Sequence, residues 1–450
     1  MSSVSFNTSS ATTPISTSAG AGFNVQQMVQ AAIAADSGPL YQMEQEQTTL
    51  QGQTAALNQL QTELEALQTA AQALSDPTGA IYAQTTTSSD LSILTATAAN
   101  GATTGNHTIT VNSLATTSSA YSSEFASSST ALPTGSFNIQ VGSGAATTIT
   151  VDSTNNTLSG IASTINGLNL GVTANFVTDA NGSRLTLVSN TSGAAGNITI
   201  SNDTVGLGFT QSAGTNASLT VDGVPISSSS NMVSGVISGV TLNLLSASPG
   251  TSVSLAVAPD NTQITNAINN FVSAYNTLIS DVNSQFTVNP TTQQAGVLAS
   301  DSSVGMLQEQ LLTMVNASTT GNNGIVNLSA LGINMQNDGT LQVDSTTLNQ
   351  NLSTNIAAVQ NFFQNSSNTG FAQTLNTSLT QMADPVTGLL GVDLNGIAQT
   401  QTDLASQISD FQAYLATEQQ SLTQQYSQVD TVLQQLPLLQ SQIAQQLAGA

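Results

Sequence analysis

Apolar residues near both ends of the chain recur at spacings that mostly alternate between three and four. This spacing places them on one face of a long α-helix, and a continuous apolar seam is typical of helices that pair with another helix. The two ends are therefore predicted to form a helical hairpin. The C-terminal seam consists of Ile397, Leu404, Ile408, Phe411, Leu415, Leu422, Tyr426, Val429, Leu433, Leu436, Ile443 and Leu447. The N-terminal seam consists of Leu50, Leu57, Leu60, Leu64, Leu67, Ala71 and Leu74.

The stretch before the N-terminal seam divides into two parts. Residues 1–22 are rich in Ser, Thr, Ala and Gly and lack periodicity, which predicts disorder. Val25, Val29 and Ile33 then follow at helical spacing. They predict a short helix that ends at the Ser-Gly-Pro triplet of residues 37–39, before the long seam helix begins.

The middle of the chain changes to a period of two from about residue 80, which is typical of strands with one buried face. Residues 157–168 return to helical spacing, and Asn155 or Asn156 is predicted as the N-cap of that helix. The predicted strands lie at 109–111, 137–141, 149–151, 172–177, 185–188, 219–221, 224–226, 236–245 and 253–257.

The pattern is helical again after Pro259. Within this part, two short apolar runs at 331–333 and 341–343 flank the Asn-Asp-Gly triplet of residues 337–339. They predict a β-hairpin in which glycine supplies the positive φ. The predicted helices lie at 264–282, 304–315, 348–363, 371–382 and along the C-terminal seam.

These elements predict a multidomain α+β protein. Its leg is an antiparallel helical coiled coil formed by both termini, and β-rich head domains are inserted between the two halves of the leg. The predicted parts are a disordered segment (1–22), the N-terminal leg helices (23–79), an inner β head domain (80–121 and 215–258), an inserted outer head domain (122–214), a helical leg domain (259–392, with the hairpin at 331–344) and a C-terminal coiled-coil helix (393–450).

The composition removes several classes of function. The chain of 450 residues has 24 Asp plus Glu, no Cys, no Trp, a single cation, Arg184, and a single histidine, His107. Nucleic-acid binding and attachment to anionic lipid both need several Lys or Arg, so neither is predicted. Disulfides, zinc–thiolate sites and multi-histidine metal sites are excluded because their ligands are missing. An enzyme site would have to rest on carboxylates.

The charge of the chain is one-sided but sparse. The net charge is −23, yet only 6% of the residues are charged, so the surface must consist mainly of Ser, Thr, Asn and Gln. One hypothesis is a protein that works in an acidic extracellular medium; the alternative is a compositional bias of the source genome or of exported proteins. Residues 1–22 have no basic residue and no apolar run, so a cleavable signal peptide is not expected, and no later stretch has the length of a membrane span.

The carboxylates that are candidates for chemistry lie at predicted turns. Asp338 and Asp344 bracket the hairpin, and Asp222 precedes a glycine. A glycosidase needs a carboxyl pair in a cleft with aromatic platforms, whereas aromatic residues make up 4% of this chain. Turn formation is the favoured interpretation, and no catalytic residue is predicted.

The histidine and the arginine are both given structural roles. His107 lies in a strand pattern between polar neighbours, so we expect a half-exposed strand residue and no metal or cofactor ligand. Arg184 lies at a predicted hairpin strand, where it is expected to pair with Asp179 or with a neighbouring carboxylate.

A set of longer motifs follows the chain in order. They are GFNVQQMVQ (22–30), GNHTITVNSLA (105–115), TITVDSTNNTLSGIASTING (148–167), GVTANFVTDANGSRLTLVSNTSGAAGNITI (171–200), VDGVPISSSSNMVSGVISGVTLNLL (221–245), FVSAYNTLI (271–279), GVLASDSSV (296–304), LGINMQNDGTLQVD (331–344) and YSQVD (426–430). In this order they resemble the family of the flagellar filament capping protein, or flagellar hook-associated protein 2. The third and fourth motifs are similar to the flagellin-type insertion module, which is less specific because flagellins share it.

The resemblance implies a structural role without enzyme activity. It implies a ring of identical subunits, with five as the expected number, seated on the distal end of the bacterial flagellar filament, where exported flagellin folds and inserts. It also implies secretion through the flagellar type III system, with an export chaperone as a further expected partner. The alternatives are an extracellular adhesin whose head binds host glycan or mucin, and a hook–filament junction protein or a flagellin.

The seams then have two interpretations. Either the terminal helices only pair with each other, or they also contact other subunits and the filament tip, because the stretches 23–33 and 438–447 have no obvious intramolecular partner. This chain departs from the family in two ways. It has Ser227 and Gln-rich helix faces at positions where family members commonly have basic residues. It also has Pro437, which is expected to kink the last helix. The predicted contact residues are Val25, Val29, Ile33, Leu57, Leu64, Leu422, Tyr426, Val429, Leu433, Leu436, Ile443 and Leu447.

Overall fold

The computed structural model describes residues 24–288, 290–291, 293–319 and 322–448, so the predicted disorder of residues 1–22 lies outside the described part. Its helices are α1 (Val25–Asp36), α2 (Gly38–Ser75), α3 (Leu158–Gly167), α4 (Asn261–Phe286), α5 (Ser302–Val315), α6 (Leu328–Leu331), α7 (Ser345–Thr354), α8 (Ile356–Phe363), α9 (Phe371–Met382) and α10 (Leu389–Ala448). Its strands are β1 (Gln84–Ser88), β2 (Leu94–Ala98), β3 (Gly105–Ser113), β4 (Thr117–Tyr121), β5 (Gly135–Val141), β6 (Thr147–Val151), β7 (Val172–Thr178), β8 (Ser183–Ser192), β9 (Ile198–Ser201), β10 (Thr210–Ser212), β11 (Ala217–Val221), β12 (Val224–Ser228), β13 (Met232–Ile237), β14 (Val240–Leu244), β15 (Val253–Pro259), β16 (Ile333–Met335) and β17 (Leu341–Val343).

The leg has one large apolar core between α2 and the helices that follow the head. The second half of α2 buries Leu57, Leu64 and their neighbours on the seam against α4 and α9. Truncating one such leucine to alanine would cost on the order of 2–5 kcal/mol. Aromatic rings close the core between α4, α8 and α9, where Phe362 and Phe371 stack with their centroids 5.3 Å apart. The second half of the leg therefore behaves as a packed domain and not only as a coiled coil.

The first half of α2 pairs with α10, and the two helices run antiparallel. Gln401 Nε2 of α10 donates to Thr54 Oγ1 of α2 at 3.1 Å. Gln61 Nε2, further along α2, donates at 2.8 Å to the carbonyl of Ala383, which precedes α10 in the chain, so residue numbers fall on one side as they rise on the other. A small apolar cluster lies between them, formed by Leu40, Leu404, Ile408 and Leu415 with Met43, Leu50 and Phe411 at its edge. The predicted pairing of the two termini is confirmed.

Two adjacent strands connect the leg to the head. β1 and β15 pair antiparallel, with Gln84 opposite Pro259, directly after α2 and directly before α4. The Asp260 N–H donates to the Ala83 carbonyl at 2.9 Å. The head is thus an insertion whose entry and exit strands lie side by side, which confirms the predicted α+β architecture.

The head contains two separate cores. The inner core lies between a five-stranded sheet of order β1-β15-β3-β11-β12 and a three-stranded sheet of order β13-β14-β2. The outer core lies between a four-stranded sheet of order β10-β4-β8-β7, a three-stranded sheet of order β6-β5-β9 and α3. All the strand pairs among the described residues of the head are antiparallel, so one face of each sheet is free to be polar.

The structure corrects one predicted boundary. The range 80–121 was predicted for the inner head domain, but its last strand, β4, pairs with β8 and β10 of the outer sheet. Ala120 of β4 also belongs to the outer core. The alternation of β4 indicates a half-buried strand but carries no information about which sheet it joins, because the period is the same in both.

The helix of the outer head has a different N-cap from the one predicted. Thr157 Oγ1 accepts the Gly160 N–H at 3.0 Å, so Thr157 is the N-cap of α3. Asn155 instead donates to the Thr150 carbonyl, and Asn156 donates to the Leu132 carbonyl at 3.1 Å. Asn and Thr are both good caps, so the choice depends on tertiary hydrogen bonds that the local sequence does not reveal.

Candidate functional site

The apolar face of α10 is covered by other helices at its start and exposed at its end. Up to Leu415 its apolar residues pack against α2. Leu422 and Tyr426 are half-buried in the stretch that follows. From Val429 onward every apolar side chain described is exposed, from 43% at Leu436 to 76% at Leu447. The last third of α10 is therefore an apolar helix end without a covering element among the described residues.

The short helix α1 does have an intramolecular partner, contrary to the expectation for the stretch 23–33. The Asn24 side chain caps α1 by accepting the Gln27 N–H at 3.2 Å. α1 packs against α10, and Val29 and Ile33 are only 2% and 7% exposed. Val25 is half-buried. The sequence did not reveal this contact because three apolar positions define a face but not the element that covers it.

Two of the predicted contact residues lie in the interior. Leu57 and Leu64 are fully buried in the leg core between α2, α4 and α9. In this fold their side chains cannot contact another molecule, and they stabilise the leg by packing. The periodicity alone placed them on the same seam as the exposed residues, since a seam has the same spacing whichever partner covers it.

We define the free stripe as the exposed apolar residues of α10 after Asp430. Only part of it follows the seam that the spacing predicts; Val432, Leu438 and Leu439 lie beside the seam and widen it. A wider apolar face is the signal that a strict three-four count misses. The free stripe consists of Val432, Leu433, Leu436, Leu438, Leu439, Ile443 and Leu447.

Pro437 lies within the free stripe. α10 continues from Leu389 to Ala448 through this proline. A proline has no N–H, so the Leu433 carbonyl lacks its usual intrahelical donor. The kink expected at this position stays a prediction, and the open carbonyl adds one acceptor to an otherwise apolar surface.

The leg has no cation in its sequence. Of the 24 acidic residues, 18 lie outside residues 80–258. The single Arg and the single His both lie inside that range. The free stripe itself contains no charged residue, and its polar neighbours are Gln and Ser. A partner therefore meets apolar side chains and amides there, and not ion pairs.

The two ion pairs of the described residues both lie in the head. Arg184 Nη2 contacts Glu124 Oε2 at 2.6 Å, so a neighbouring carboxylate, and not Asp179, is its partner. His107 Nδ1 contacts Asp222 Oδ2 at 2.8 Å across the turn between β11 and β12. His107 and Asp222 thus fix a turn to β3, which is a structural role.

The turn aspartates make local hydrogen bonds. Asp338 Oδ1 accepts from Thr340, and Asp344 accepts from Thr346 and Thr347 at the start of α7. These bonds hold the pKa values of both carboxyl groups below their usual range. Gly339, with φ +83°, supplies the positive φ of the predicted hairpin. The arrangement serves the hairpin and the helix start, and it includes no acid/base pair.

The described residues offer an open groove and no cluster of metal ligands. An open groove of about 480 Å³ runs between α2 and α4, and alanines form most of its lining. Within the described ranges, no group of three or more His, Asp or Glu side chains is placed to hold a metal ion. No described helix combines the length and hydropathy that crossing a bilayer requires.

Known proteins match the chain over most of its length. The B-type flagellar hook-associated protein 2 of Pseudomonas aeruginosa PAO1 is 32% identical over 461 residues, covering 94% of this chain and 95% of that protein. The flagellar hook-associated protein 2 of Escherichia coli K12 is 27% identical over 456 residues, covering 95% and 96%. The crystal structure of the D1-D2-D3 domains of the flagellar cap protein FliD from Escherichia coli has a TM-score of 0.66 at 29% identity, covering 76% of this chain and 99% of that chain.

Two family models match separate parts of the chain. The model of the flagellar hook-associated protein 2 N-terminus matches residues 21–118, and the model of its C-terminus matches residues 214–437. The stretch between them contains the strands β5–β10 and α3 of the outer head. The two family models thus cover the inner head and the leg up to residue 437, and they omit most of the outer head. The chain belongs to the flagellar hook-associated protein 2 family.

Proposed function

We propose that this protein is a structural cap at the distal end of the bacterial flagellar filament, where it promotes the folding and insertion of exported flagellin. Membership of the family supports this role, and the relatives named as cap proteins favour it over the adhesin and the hook–filament junction protein. The observation that carries the proposal is the free stripe, because an exposed apolar face of this length on a soluble helix marks a protein–protein contact. The protein acts outside the cell, at the filament tip.

The cap is a ring of identical chains, with five as the expected number. The head forms a plate over the tip and the legs reach down to the filament. A closed ring on a helical lattice is a symmetry mismatch, so the legs of one ring meet different surroundings. Contacts made by apolar side chains and amides tolerate such variation better than ion pairs, which need fixed geometry. Several weak leg contacts in one ring reinforce each other through multivalency.

Export and assembly are compatible with the composition. The chain leaves through the flagellar type III channel in an unfolded form, with an export chaperone as its partner before export. It contains no Cys that could cross-link it on the way. Flagellin then folds in the space between the plate and the growing tip, where it is kept from diffusing into the medium. No reaction is catalysed; the effect is steric.

The free stripe is the part of the leg to test. In a cap-deletion strain, the full chain with Leu436, Ile443 and Leu447 changed to Gln should be exported but should fail to retain flagellin, so that flagellin monomers accumulate in the medium. The matched control changes Gln434, Gln442 and Gln445 of the same helix to Ser. Since all six side chains are exposed, both proteins should keep the helical circular dichroism of the parent.

The outcome separates the functions that were kept open. Normal filaments from the triple Gln variant would contradict a role of the free stripe at the tip. Normal filaments from the deletion strain itself, combined with loss of host-cell binding, would contradict the cap and support an adhesin. Full filament growth by the Ser control together with monomer release by the Gln variant is the result that we expect.

A further inference from the structure

Glu63 is a buried acid in a leg that has no cation. It lies on α2 at the interface with α4 and is 7% exposed. Its Oε1 accepts from Gln59 Nε2 at 2.6 Å, while its Oε2 is buried without a hydrogen-bond donor among the described residues. A buried ionised carboxylate with an unpaired oxygen is costly, so the local geometry favours a protonated Glu63.

Asp281 faces Glu63 from α4. The packing of α4 on α2 brings the Asp281 carboxyl near that of Glu63, and two carboxylates cannot donate to each other unless one carries a proton. Burial raises the pKa of Glu63 to about 7, the Gln59 hydrogen bond acts against this shift, and Asp281 adds to it. A hydrogen bond between these two carboxyls, across the interface of α2 and α4, would therefore need a proton.

The surroundings offer no other charge to neutralise the pair. Besides Asp281, α4 carries only Tyr275 as a titratable group, and burial raises the pKa of that phenol well above its usual range, so it stays neutral. α9 carries no titratable residue. The titratable groups of α10 are acids and a pair of tyrosines, and Glu65 on α2 itself is exposed. Every charged group on the elements packed against α2 is thus negative.

A second carboxyl pair lies between α5 and α10. Asp301 caps α5 by accepting the Ser303 N–H at 2.9 Å. Asp393 of α10 is half-buried beside it, and Asp393 Oδ2 is buried without a described donor. Burial raises the pKa of Asp393, a bond to Ser303 opposes the shift, and Asp301 adds to it. The same arrangement therefore occurs at two helix interfaces of one leg.

We propose that shared protons join Glu63 to Asp281 and Asp393 to Asp301, so that the leg tightens as the medium becomes more acidic and loosens as it becomes alkaline. In each pair the protonated carboxyl donates its O–H to the neighbouring carboxylate, which closes the helix interface with a charge-assisted hydrogen bond. Loss of the proton leaves two negative charges facing each other with no cation to screen them. The device is independent of the role at the filament tip.

The sign of the pH dependence follows from the proton balance. Folded Glu63 keeps its proton up to about pH 7, whereas an unfolded glutamate loses it near pH 4.5. Between these values the folded chain binds more protons, so stability falls as pH rises through that window. The aspartates whose pKa is lowered by turn hydrogen bonds act in the opposite sense, but only below the ordinary aspartate pKa of 3.8.

Thermal unfolding of the full chain tests the first pair. The midpoint should fall as pH rises from about 4.5 to about 7, and Glu63→Gln should melt higher than the parent above about pH 7 and lose part of that fall. Glu65→Gln, an exposed change on the same helix, removes the same charge and should follow the parent curve with a small offset. Equal curves for Glu63→Gln and Glu65→Gln, or a parent that grows more stable toward pH 7, would overturn the proposal.

A spectroscopic measurement separates a shared proton from simple packing. At about pH 6, where exposed carboxyls are ionised, infrared difference spectra of the parent should contain the C=O stretch of a protonated carboxyl. Glu63→Gln should remove part of this band, and Glu65→Gln should remove none. When the pH is raised from about 4, Asp393→Asn should change the band above the range in which ordinary aspartates lose their proton, because burial raises the pKa of Asp393. Absence of the band, or stabilisation of the parent by Ca²⁺ at about pH 8 that Glu63→Gln abolishes, would show that a cation and not a proton joins the pair.

Discussion

At the scale of single residues, this protein uses many of its aspartates as helix caps and turn formers. Asp260, Asp301 and Asp344 each accept backbone N–H bonds at the first turn of a helix. A negative charge is favourable at a helix N-terminus, because the helix dipole and the unpaired N–H groups both point toward it. A chain with almost no cations thereby stabilises part of its negative charge through backbone groups.

The cap of α4 can be tested directly. Asp260 Oδ1 accepts the N–H groups of Thr262 and Gln263 at 3.1 and 3.0 Å. We expect Asp260→Ala to lower the free energy of unfolding by about 1 kcal/mol, measured by urea denaturation at neutral pH. Asp410→Ala, at an exposed mid-helix position of α10, is the control and should be neutral or slightly stabilising because it only removes a negative charge. Equal losses for both variants would contradict a capping role.

At the scale of elements, α1 acts as a clamp on α10. The buried Val29 and Ile33 are the residues that hold the two helices together. Replacing both with Ser should detach α1 and raise amide hydrogen exchange in α10 around residues 418–430, without changing exchange in the leg core. Gln26→Ser with Gln30→Ser, on the exposed side of α1, should leave exchange in α10 unchanged. Protection of α10 that survives in the Val29/Ile33 double variant would contradict the clamp.

The elements also show what the sequence predicts and what it does not. Helix α9 was predicted at its observed bounds, because its apolar spacing is uninterrupted and Gly370 precedes it. The predicted helix at 348–363 is instead two helices, α7 and α8, separated at Asn355, which serves as C-cap of one and N-cap of the other. Periodicity indicates which residues face a partner, but the assignment of β4 to the outer sheet and of Leu57 to the leg core depends on contacts between segments that are far apart in the sequence.

At the scale of the whole molecule, charge opposes compactness. A net charge of −23 is spread over a fold whose described ion pairs, Arg184–Glu124 and His107–Asp222, are confined to the head. In most proteins added salt weakens attractive ion pairs between side chains. In this protein added salt mainly screens the repulsion among carboxylates. The neutral polar surface reduces this repulsion, since most of the surface carries no charge at all.

Salt should therefore stabilise this protein at neutral pH. We expect the thermal midpoint to rise as NaCl increases from about 0.01 M to about 0.15 M, because the Debye length falls from about 30 Å to about 8 Å over that range, and to level off beyond it. The same titration at about pH 4, where many carboxyls are protonated and repulsion is weaker, should give a smaller rise. A midpoint that falls with salt at neutral pH would mean that the two ion pairs of the head outweigh the repulsion within the leg, where 18 acids face no cation.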